Sequence, residues 1–337
     1  MFNRLSRIAV SSIILASIML PVFSLSCSSK SYSGSIQSLA VAWSPFEHGA
    51  LLWVAEDQNI FSKYGLVVTL RKYDTGAGSL NGMLNGEADI TFGVTEFPVV
   101  RKVFEKSKVR IIGVIAKTEN QYLVGRKDAG IEKVADLKGK RIGTTFGTIA
   151  EFYLGRFLEL NGISIQEVTV VDLKTPAEWE NAVADGVVDA IVTAQPYADL
   201  ASKRLGSNAI VWPVQGGQYT SGLVVSSEEW ITTHPEIVKR FLKSLAQAEE
   251  YVVRHPAETK AIMQKKLNVD ASFVESAWSL DQFSLTLDQS LITAMEDQAR
   301  WMIKRSLTSE KQVPDFDEYI YPDALEAVKP EAVNLIR

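Results

Sequence analysis

The stretch GTTFGTIAE, residues 143–151, carries residue types that could bind a polar ligand at the start of a helix. Thr148 and Glu151 have the spacing of a capping box, which predicts that a helix begins near Ile149. The free backbone N–H groups of such a first turn, together with the helix dipole, favour an anion or a polar oxygen.

The loop before this helix adds further groups that could contact a ligand. Thr144, Thr145 and Thr148 would supply hydroxyl donors, and Gly147 would let a ligand approach the backbone closely. The alternative is a capped helix without a ligand, because capping boxes are common. The motif alone leaves both interpretations open.

No spacing in the sequence matches a known catalytic, metal or cofactor motif. The three histidines, His48, His234 and His255, are far apart, and Cys27 is the only cysteine, so no zinc-type spacing exists. Neither a phosphate-binding glycine loop nor a GxSxG elbow occurs. We therefore expect no catalytic residues, no metal and no cofactor, and a protein that holds its ligand without reacting with it.

The N-terminus has the features of an export signal. Arg4 and Arg7 precede an uncharged apolar run, residues 8–26, that ends in small residues. Pro21 and several serines interrupt this run, which argues against a permanent membrane span. Residues 1–26 are predicted to be a signal peptide.

Cys27 lies where the signal ends and resembles the acylated first residue of a bacterial lipoprotein. Ser26 is the small residue expected before it, whereas Ser24 stands where a leucine is usual. The alternative is cleavage nearby that leaves an incidental cysteine. We predict lipidation of Cys27, a serine-rich tether over residues 27–35, and a location in the periplasm or at the outer face of the cell membrane.

Composition fits a soluble globular chain that is long enough for two domains. The 337 residues are 46% hydrophobic and 22% charged. Loss of Arg4 and Arg7 with the signal changes the formal net charge from −5 to −7. This charge argues against nucleic acid or an anionic bilayer as a direct partner.

Strand-like and helix-like segments alternate, which predicts α/β architecture with mainly parallel sheets covered by helices. A glycine loop, DTGAGS, is predicted before a short helix, and the chain after residue 230 reads as mainly helical without strands. The predicted strands span residues 36–43, 66–73, 88–94, 109–116, 140–145, 168–173 and 188–194, and the predicted helices residues 48–65, 80–86, 149–162 and 175–186.

Two segments share one design and indicate a duplicated lobe. NGEADITFGV and DGVVDAIVTA both end a helix at glycine and then enter a buried strand. Gly86 and Asp89 of the first correspond to Gly186 and Asp189 of the second. This match favours two similar α/β lobes over one large sheet.

Four ordered stretches resemble the solute-binding proteins of ABC importers, in the NMT1-like family for nitrate, sulfonates, taurine and thiamine-pyrimidine precursors. They are HGALLWVAEDQNIFSKYGLVVTL, LNGMLNGEADITFGV, DLKGKRIGTTFGTIAEFYLGRFLELNGI and DGVVDAIVTAQPYADLA, followed by GLVVSSEEWITTHPEIVKRFLKSLAQAEEYV. Together they span nearly all of residues 36–300. Each stretch alone is a weak signal, but the ordered set is specific.

The resemblance implies a periplasmic-binding-protein fold of type II, with the ligand in a cleft between two lobes. Lobe 1 would comprise residues 36–120 and 221–337, and lobe 2 residues 121–220. The crossings between the lobes are expected near residues 120–124 and 218–224. Ligand binding would close this hinge, and the closed monomer would dock on membrane permease subunits served by a cytoplasmic ATPase.

The resemblance also implies that the loop TFGTIAE lines the cleft and that the helix start binds the polar head of the ligand. Other predicted binding residues follow strands that end at the cleft. The full set of predicted binding residues is Trp43, Ser44, Phe46, Gly76, Gly78, Ser79, Thr95, Glu96, Lys117, Thr145, Gly147, Thr148, Ile149, Gln195 and Tyr197.

The sequence leaves the charge of the ligand open. Lys117 near the cleft would favour an anion, whereas Glu96 and Glu47 would oppose one. A neutral or amphoteric heteroaromatic stacked on Trp43 or Tyr197 would suit the acids better, although Trp43 fits a core position equally well. A small organic ligand with an aromatic or polar head is the working expectation.

Two other functions are possible on this fold. Pyrimidine synthases in the family carry a cysteine-rich motif and a reactive histidine, which one N-terminal cysteine and three scattered histidines cannot supply. Menaquinone-pathway enzymes share the fold but work in the cytoplasm, against the export signal. A ligand sensor that signals through a membrane receptor is the remaining alternative.

Overall fold

The computed structural model describes residues 32–336. The predicted signal peptide, Cys27 and tether residues 27–31 lie outside the described residues. The strands are β1 Gln37–Trp43, β2 Leu66–Lys72, β3 Ile90–Val94, β4 Val109–Thr118, β5 Gln121–Arg126, β6 Arg141–Thr144, β7 Thr169–Asp172, β8 Ala190–Ala194, β9 Ala209–Pro213, β10 Thr220–Ser227, β11 Asp281–Asp288 and β12 Val333–Asn334.

The α-helices alternate with these strands over most of the chain. They are α1 Ala50–Asp57, α2 Ile60–Lys63, α3 Gly76–Leu84, α4 Glu96–Phe104, α5 Ile149–Leu160, α6 Pro176–Ala184, α7 Tyr197–Leu205, α8 Glu228–Thr233, α9 Pro235–Arg254, α10 Pro256–Leu267, α11 Ala271–Trp278, α12 Gln289–Lys304 and α13 Asp323–Glu326. Short 3₁₀ turns include one at Glu47–Gly49. Within residues 32–336, no helix has the length and apolar character needed to cross a bilayer.

Two sheets organise the described chain into α/β layers. One has seven strands in the order β12-β11-β4-β10-β3-β1-β2, and the other has five in the order β7-β6-β8-β5-β9. We call the part built on the seven-stranded sheet lobe 1 and the part built on the five-stranded sheet lobe 2. The chain passes between the sheets from β4 to β5 and from β9 to β10.

Both sheets are mixed rather than mainly parallel. Strands β1, β2 and β3 pair in parallel, as do β6, β7 and β8. The strands next to the crossings, β4, β5, β9 and β10, form antiparallel pairs. A chain that leaves one sheet and later returns reverses its direction relative to its neighbours, which the alternation of strands and helices did not reveal.

The repeated glycine and aspartate occupy matching positions in the two lobes. Gly86 and Gly186 both have left-handed backbone angles, with φ of +77° and +76°. The Asp89 carboxylate accepts a hydrogen bond from the Ala40 amide at 2.7 Å. Asp189 likewise accepts from the Arg141 amide at 2.9 Å. Each aspartate thus accepts from an amide of a neighbouring strand, Ala40 within β1 and Arg141 at the start of β6, which explains why the two sequences agree.

Three predicted elements differ in the structure. The helix predicted over residues 48–65 is divided, because Asn59 adopts a left-handed φ of +53° between α1 and α2. Most of the predicted glycine loop is the first turn of α3, since the Thr75 side chain accepts from the Gly78 amide at 3.0 Å. The prediction of no strands after residue 230 is wrong, because β11 joins the large sheet beside β4.

Candidate functional site

A cavity lined by residues of both lobes lies between the two sheets. Lobe 1 and the crossings contribute Phe46, His48, Thr75, Gly76, Ala77, Gly93, Thr95, Pro98, Thr118, Asn120, Gln121 and Thr220. Lobe 2 contributes Thr145, Thr148, Ile149, Ala150, Trp179, Val192, Thr193 and Ala194. Among these lining residues, all within 32–336, none is Lys, Arg, Asp or Glu. The wall of the cavity is therefore formed by hydroxyls, amides and apolar groups.

Three helix starts meet at this cavity. Gly76 and Ala77 are the first residues of α3, Thr95 precedes α4, and Ile149 and Ala150 open α5. Among the described residues, the first two amides of α3 and of α5 have no backbone or side-chain acceptor. Free amide hydrogens at the positive end of a helix attract anionic or polar groups.

The predicted capping box between Thr148 and Glu151 does not form at the start of α5. Helix α5 begins at Ile149 as expected, but the Thr148 side chain makes no capping bond to the helix. Its hydroxyl donates instead to the Thr145 carbonyl at 2.7 Å. The Glu151 carboxylate accepts from the Gly147 amide at 2.6 Å rather than from that of Thr148. Gly147, with φ of +78°, turns its own N–H toward Glu151.

The threonine hydroxyls of this loop are largely engaged within the protein, which corrects their expected role as free donors. Thr145 donates to the Leu173 carbonyl at 2.7 Å and accepts from the Trp179 indole at 2.9 Å. Thr144 is buried and does not line the cavity. The donors that remain available at α5 are therefore the amides of Ile149 and Ala150.

Aromatic side chains from both lobes form an apolar wall. The Phe46 ring of lobe 1 contacts the Tyr197 ring of lobe 2 edge-on, with centroids 5.9 Å apart. Tyr197 in turn contacts Trp179 at 5.0 Å. Phe46 and Trp179 line the cavity, while Tyr197 supports them from behind. An organic portion of a ligand would pack against these rings.

Burial controls the ionisation of three groups around the cavity. Burial raises the pKa of Glu47 and of Glu96 to about 7 each, so neither is a full negative charge near neutral pH. Burial lowers the pKa of His48 to about 4, so this ring is neutral. The cavity consequently lacks a strong fixed charge that would repel an anion.

Six of the predicted binding residues line the cavity. They are Phe46, Gly76, Thr95, Thr145, Thr148 and Ile149. They come from four separate segments, and the packing of the two sheets brings them together. Their contact with a ligand stays a prediction.

Five other predicted residues of lobe 1 lie away from the cavity wall. Trp43 packs edge-on against Trp53 in the core, with ring centroids 5.8 Å apart. The next residue, Ser44, is also buried. Gly78 and Ser79 belong to α3, where the Ser79 hydroxyl lies 2.7 Å from that of Thr91. Glu96 is buried at the start of α4.

The remaining four also lie elsewhere. Lys117 pairs with Asp288 at 2.8 Å, because β11 brings that aspartate beside β4. Gly147 faces the guanidinium of Arg101. Gln195 accepts a hydrogen bond from the Asp199 amide at 3.2 Å inside lobe 2, and the Tyr197 ring contacts the rings of Phe46 and Trp179.

Sequence reasoning missed several residues that line the cavity, including His48, Asn120 and Trp179. Asn120 lies at a predicted crossing, so its position at the cleft could have been inferred from the chain path. Trp179 reaches the cavity from α6 through its hydrogen bond to Thr145. No spacing in the sequence signals that contact.

The sequence profile of the family described as NMT1/THI5 like matches residues 46–259. This match covers more than half of the chain and includes most of the cavity. The chain belongs to the NMT1/THI5-like family. Its two mixed sheets flanked by helices are the fold of periplasmic binding proteins.

Three relatives show the range of the family. The taurine-binding periplasmic protein of Escherichia coli (strain K12) is 29% identical over 211 residues, which are 60% of this chain and 63% of that protein. The alkanesulfonate-binding protein SsuA from Xanthomonas axonopodis pv. citri, solved bound to MOPS, superposes with a TM-score of 0.72 at 20% identity, covering 90% of this chain and 100% of SsuA. The 4-amino-5-hydroxymethyl-2-methylpyrimidine phosphate synthase of Aspergillus parasiticus is 23% identical, over 64% of this chain and 66% of the enzyme. The proteins that this chain is similar to thus include both binding proteins and an enzyme.

Proposed function

We propose that this chain is the extracytoplasmic solute-binding component of an ABC importer and that it captures a small organic anion of the sulfonate or taurine type. The observation that carries the proposal is the neutral cavity with the starts of α3 and α5 at its wall. Neutral donors can bind a strong-acid anion without a counter-charge when several amides point at it.

The lining residues offer helix-start amides to an anionic head group and aromatic rings to a short organic tail. The amides of Ile149 and Ala150 would face the anionic head, and the rings of Phe46 and Trp179 would cover the tail. Nitrate would leave the aromatic wall without a partner, and we therefore favour an organic ligand.

The two sheets would move as separate lobes around the crossings, with lobe 1 as residues 36–120 and 221–337 and lobe 2 as residues 121–220. Because residues from both lobes line the cavity, a ligand there stabilises the closed arrangement. The closed form would deliver its ligand as a monomer to permease subunits. Export by residues 1–26 and lipidation of Cys27 would hold the protein near that permease.

Calorimetry on the mature protein tests the proposal. We expect binding of ethanesulfonate or 2-aminoethanesulfonate, compaction in small-angle scattering on binding, and no turnover of either compound. Binding of pyrimidines or nitrate alone would overturn the sulfonate assignment. Chemical conversion of a bound compound would favour an enzyme instead.

A substitution at the first residue of α5 tests whether the amides of this helix start bind the anionic head of the ligand. Ile149→Pro removes one amide hydrogen at the position where helices tolerate proline, and Thr148 before it is already extended, with φ of −110° and ψ of 169°. We expect a loss of sulfonate affinity of about tenfold, equivalent to ~1.4 kcal/mol. Ile149→Val keeps the amide and serves as the control. Equal affinity of both variants in calorimetry would contradict the proposed role of this amide.

An enzymatic function lacks support from the cavity residues. The described lining residues include no carboxylate, lysine or cysteine, and His48 is the sole histidine among them. The His48 Nε2 atom lies 2.6 Å from the Gly93 carbonyl oxygen, so this nitrogen is already engaged. We therefore propose binding rather than catalysis for this member of the family.

A further inference from the structure

A groove lies beside the cavity and shares part of its wall. Helices α3 and α4 of lobe 1 form one side of this groove, and the loop residues Phe146 and Gly147 of lobe 2 form the other. Ala77 and Pro98 line both the groove and the cavity. Phe146 is 43% exposed, so the groove is open to solvent. The groove therefore leads from solvent to the helix starts of α3 and α5.

Arg101 of α4 lies in this groove and reaches across it to lobe 2. It follows Pro98 by three residues, so the two side chains lie on the same face of the helix. The guanidinium of Arg101 rests on Gly147, where an added Cβ atom would lie 2.7 Å from Nη1 and 3.3 Å from Cζ. Because Gly147 has no side chain, the guanidinium can lie directly over the loop that precedes α5.

The guanidinium of Arg101 has no bonded partner. Within the described residues it makes no hydrogen bond or ion pair, whereas the neighbouring Lys102 pairs with Glu105 at 2.8 Å. Glu151 accepts instead from the Gly147 amide at 2.6 Å. Burial raises the pKa of Glu151, and the Gly147 amide and the charge of Arg101 oppose this rise. The charge of Arg101 thus acts on the residues at the start of α5 in the other lobe.

We propose that Arg101 forms the entrance of the cavity: its charge attracts an anionic solute into the groove, and its side chain on Gly147 covers the solute once the lobes have closed. A cation at the mouth of a cleft raises the rate of association, because its field concentrates anions there. A side chain that bridges the lobes slows dissociation, because it must leave Gly147 before the solute can pass. The inference rests on the proposed function and adds to it a residue that does not line the cavity.

The charge is tested by stopped-flow mixing of ethanesulfonate with the mature protein, followed by tryptophan fluorescence. Arg101→Gln removes the charge and keeps a long side chain beside Gly147. We expect its association rate constant to be about threefold lower than that of wild type at an ionic strength of about 0.01 M. The two proteins should have equal association rate constants at about 1 M, because the screening length falls from ~30 Å to ~3 Å.

The cover is tested by Arg101→Ala, which removes both the charge and the long side chain. We expect the same lower association rate constant as in Arg101→Gln, together with a dissociation rate constant that is about fivefold higher than in Arg101→Gln. Lys265→Gln is the control, because it removes one positive charge at an exposed position of α10 that lines neither the groove nor the cavity. Both of its rate constants should match those of wild type.

Two outcomes would overturn the proposal. Equal association rate constants for wild type and Arg101→Gln at low ionic strength would show that the charge does not attract the solute. Equal dissociation rate constants for Arg101→Gln and Arg101→Ala would show that the side chain does not cover it. A structural role alone would change the stability of the protein without this dependence on ionic strength.

Iodide quenching distinguishes a failure of this inference from a failure of the proposed function. Trp179 lines the cavity, and subtraction of the Trp179→Phe spectrum isolates its fluorescence. Iodide should quench Trp179 about twofold less in Arg101→Gln than in wild type at ionic strengths below about 0.1 M, whereas neutral acrylamide should quench both equally. If ethanesulfonate fails to bind, the proposed function is wrong, and weaker iodide quenching in Arg101→Gln still supports the entrance. Equal iodide quenching would overturn the entrance even if ethanesulfonate binds.

Discussion

At the scale of single residues, Glu96 shows how one buried acid connects a helix to a strand. It is fully buried at the start of α4, and its Oε1 accepts from the Ser221 amide of β10 at 2.6 Å. Its Oε2 has no partner among the described residues. The bond to Ser221 therefore ties α4 to β10, the strand at which the chain returns to the large sheet.

The raised pKa of Glu96 predicts a dependence of stability on pH. Its pKa is about 7 in the folded protein against a usual 4.5. Between these values the unfolded chain loses a proton that the folded protein keeps, so the stabilisation present below pH 4.5 is lost as the pH rises through 7. This loss amounts to roughly 3 kcal/mol for a shift of this size.

Glu96→Gln should remove that dependence, because glutamine does not ionise and still offers an acceptor to Ser221. Urea unfolding would measure the free energy of unfolding of both proteins at pH 5 and at pH 8. Relative to wild type, that of the variant should be about 2–3 kcal/mol higher at pH 8 than at pH 5. Glu47 and His48 titrate in both proteins and cancel in the difference. If the difference in free energy of unfolding between variant and wild type were the same at pH 5 and pH 8, Glu96 would ionise normally.

At the scale of elements, α5 connects the cavity to an interface between the lobes. Its first turn lines the cavity, and residues of its following turns pack on lobe 1. Phe152 of α5 contacts the Trp301 ring of α12 edge-on, with centroids 5.5 Å apart. Arg156 pairs with Asp297 of α12 at 2.7 Å. Helix α5 is thus held by lobe 1 although it belongs to lobe 2.

Gly155 permits this close packing. A Cβ atom at residue 155 would overlap the Trp301 indole. Gly155→Ala should therefore destabilise the protein by about 1–3 kcal/mol, although alanine normally favours a helix by ~0.5–1 kcal/mol. Urea unfolding would measure the change.

The double variant Gly155→Ala, Trp301→Leu should recover part of this loss, because the smaller side chain vacates the space that the new methyl group needs. A single Gly155→Ala variant that is more stable than wild type would show that the contact between α5 and α12 is loose.

At the scale of the whole molecule, Gln215 joins both crossings. Its Oε1 accepts from the Gln121 amide at 2.8 Å. Its Nε2 lies within 3.2 Å of the Thr118 carbonyl, the Gln218 carbonyl and the Thr220 hydroxyl. One side chain that is 2% exposed therefore fixes the relative positions of the two segments around which the lobes would rotate.

Gln215→Met keeps the length of the side chain and removes all of these hydrogen bonds. We expect a destabilisation of about 1–3 kcal/mol and an exchange of the Gln121 amide hydrogen that is at least tenfold faster than in wild type. Hydrogen-exchange mass spectrometry over β4 and β5 would detect it. Gln282→Met, at an exposed position on β11, is the control.

Ligand-induced compaction should persist in Gln215→Met, because the cavity residues are unchanged. Unchanged exchange at Gln121 would show that the backbone alone holds the crossings in place.

The sequence by itself determined many of the strands and helices before residue 230 and the family of this protein. Local signals act within one segment. The spacing of Thr148 and Glu151 predicted the start of α5 at Ile149, although the capping bond of Thr148 does not form, and the glycine–aspartate repeat marked matching positions in both lobes. The ordered motifs identified the family because each βα unit preserves its own hydrophobic pattern.

Only the tertiary structure decided which side chains share the cavity and what their charges are. Gly78 and Glu96 lie in segments that were predicted to bind the ligand, but neither residue lines the cavity. The rotation of each helix about its axis and the order of the strands decide which residues reach the cavity. Asp281 reaches Glu47 only because β11 joins the sheet beside β4. Burial raises the pKa of these two acids. Because burial arises only when the chain packs, these pKa shifts could not be predicted from the spacing of residues in the sequence.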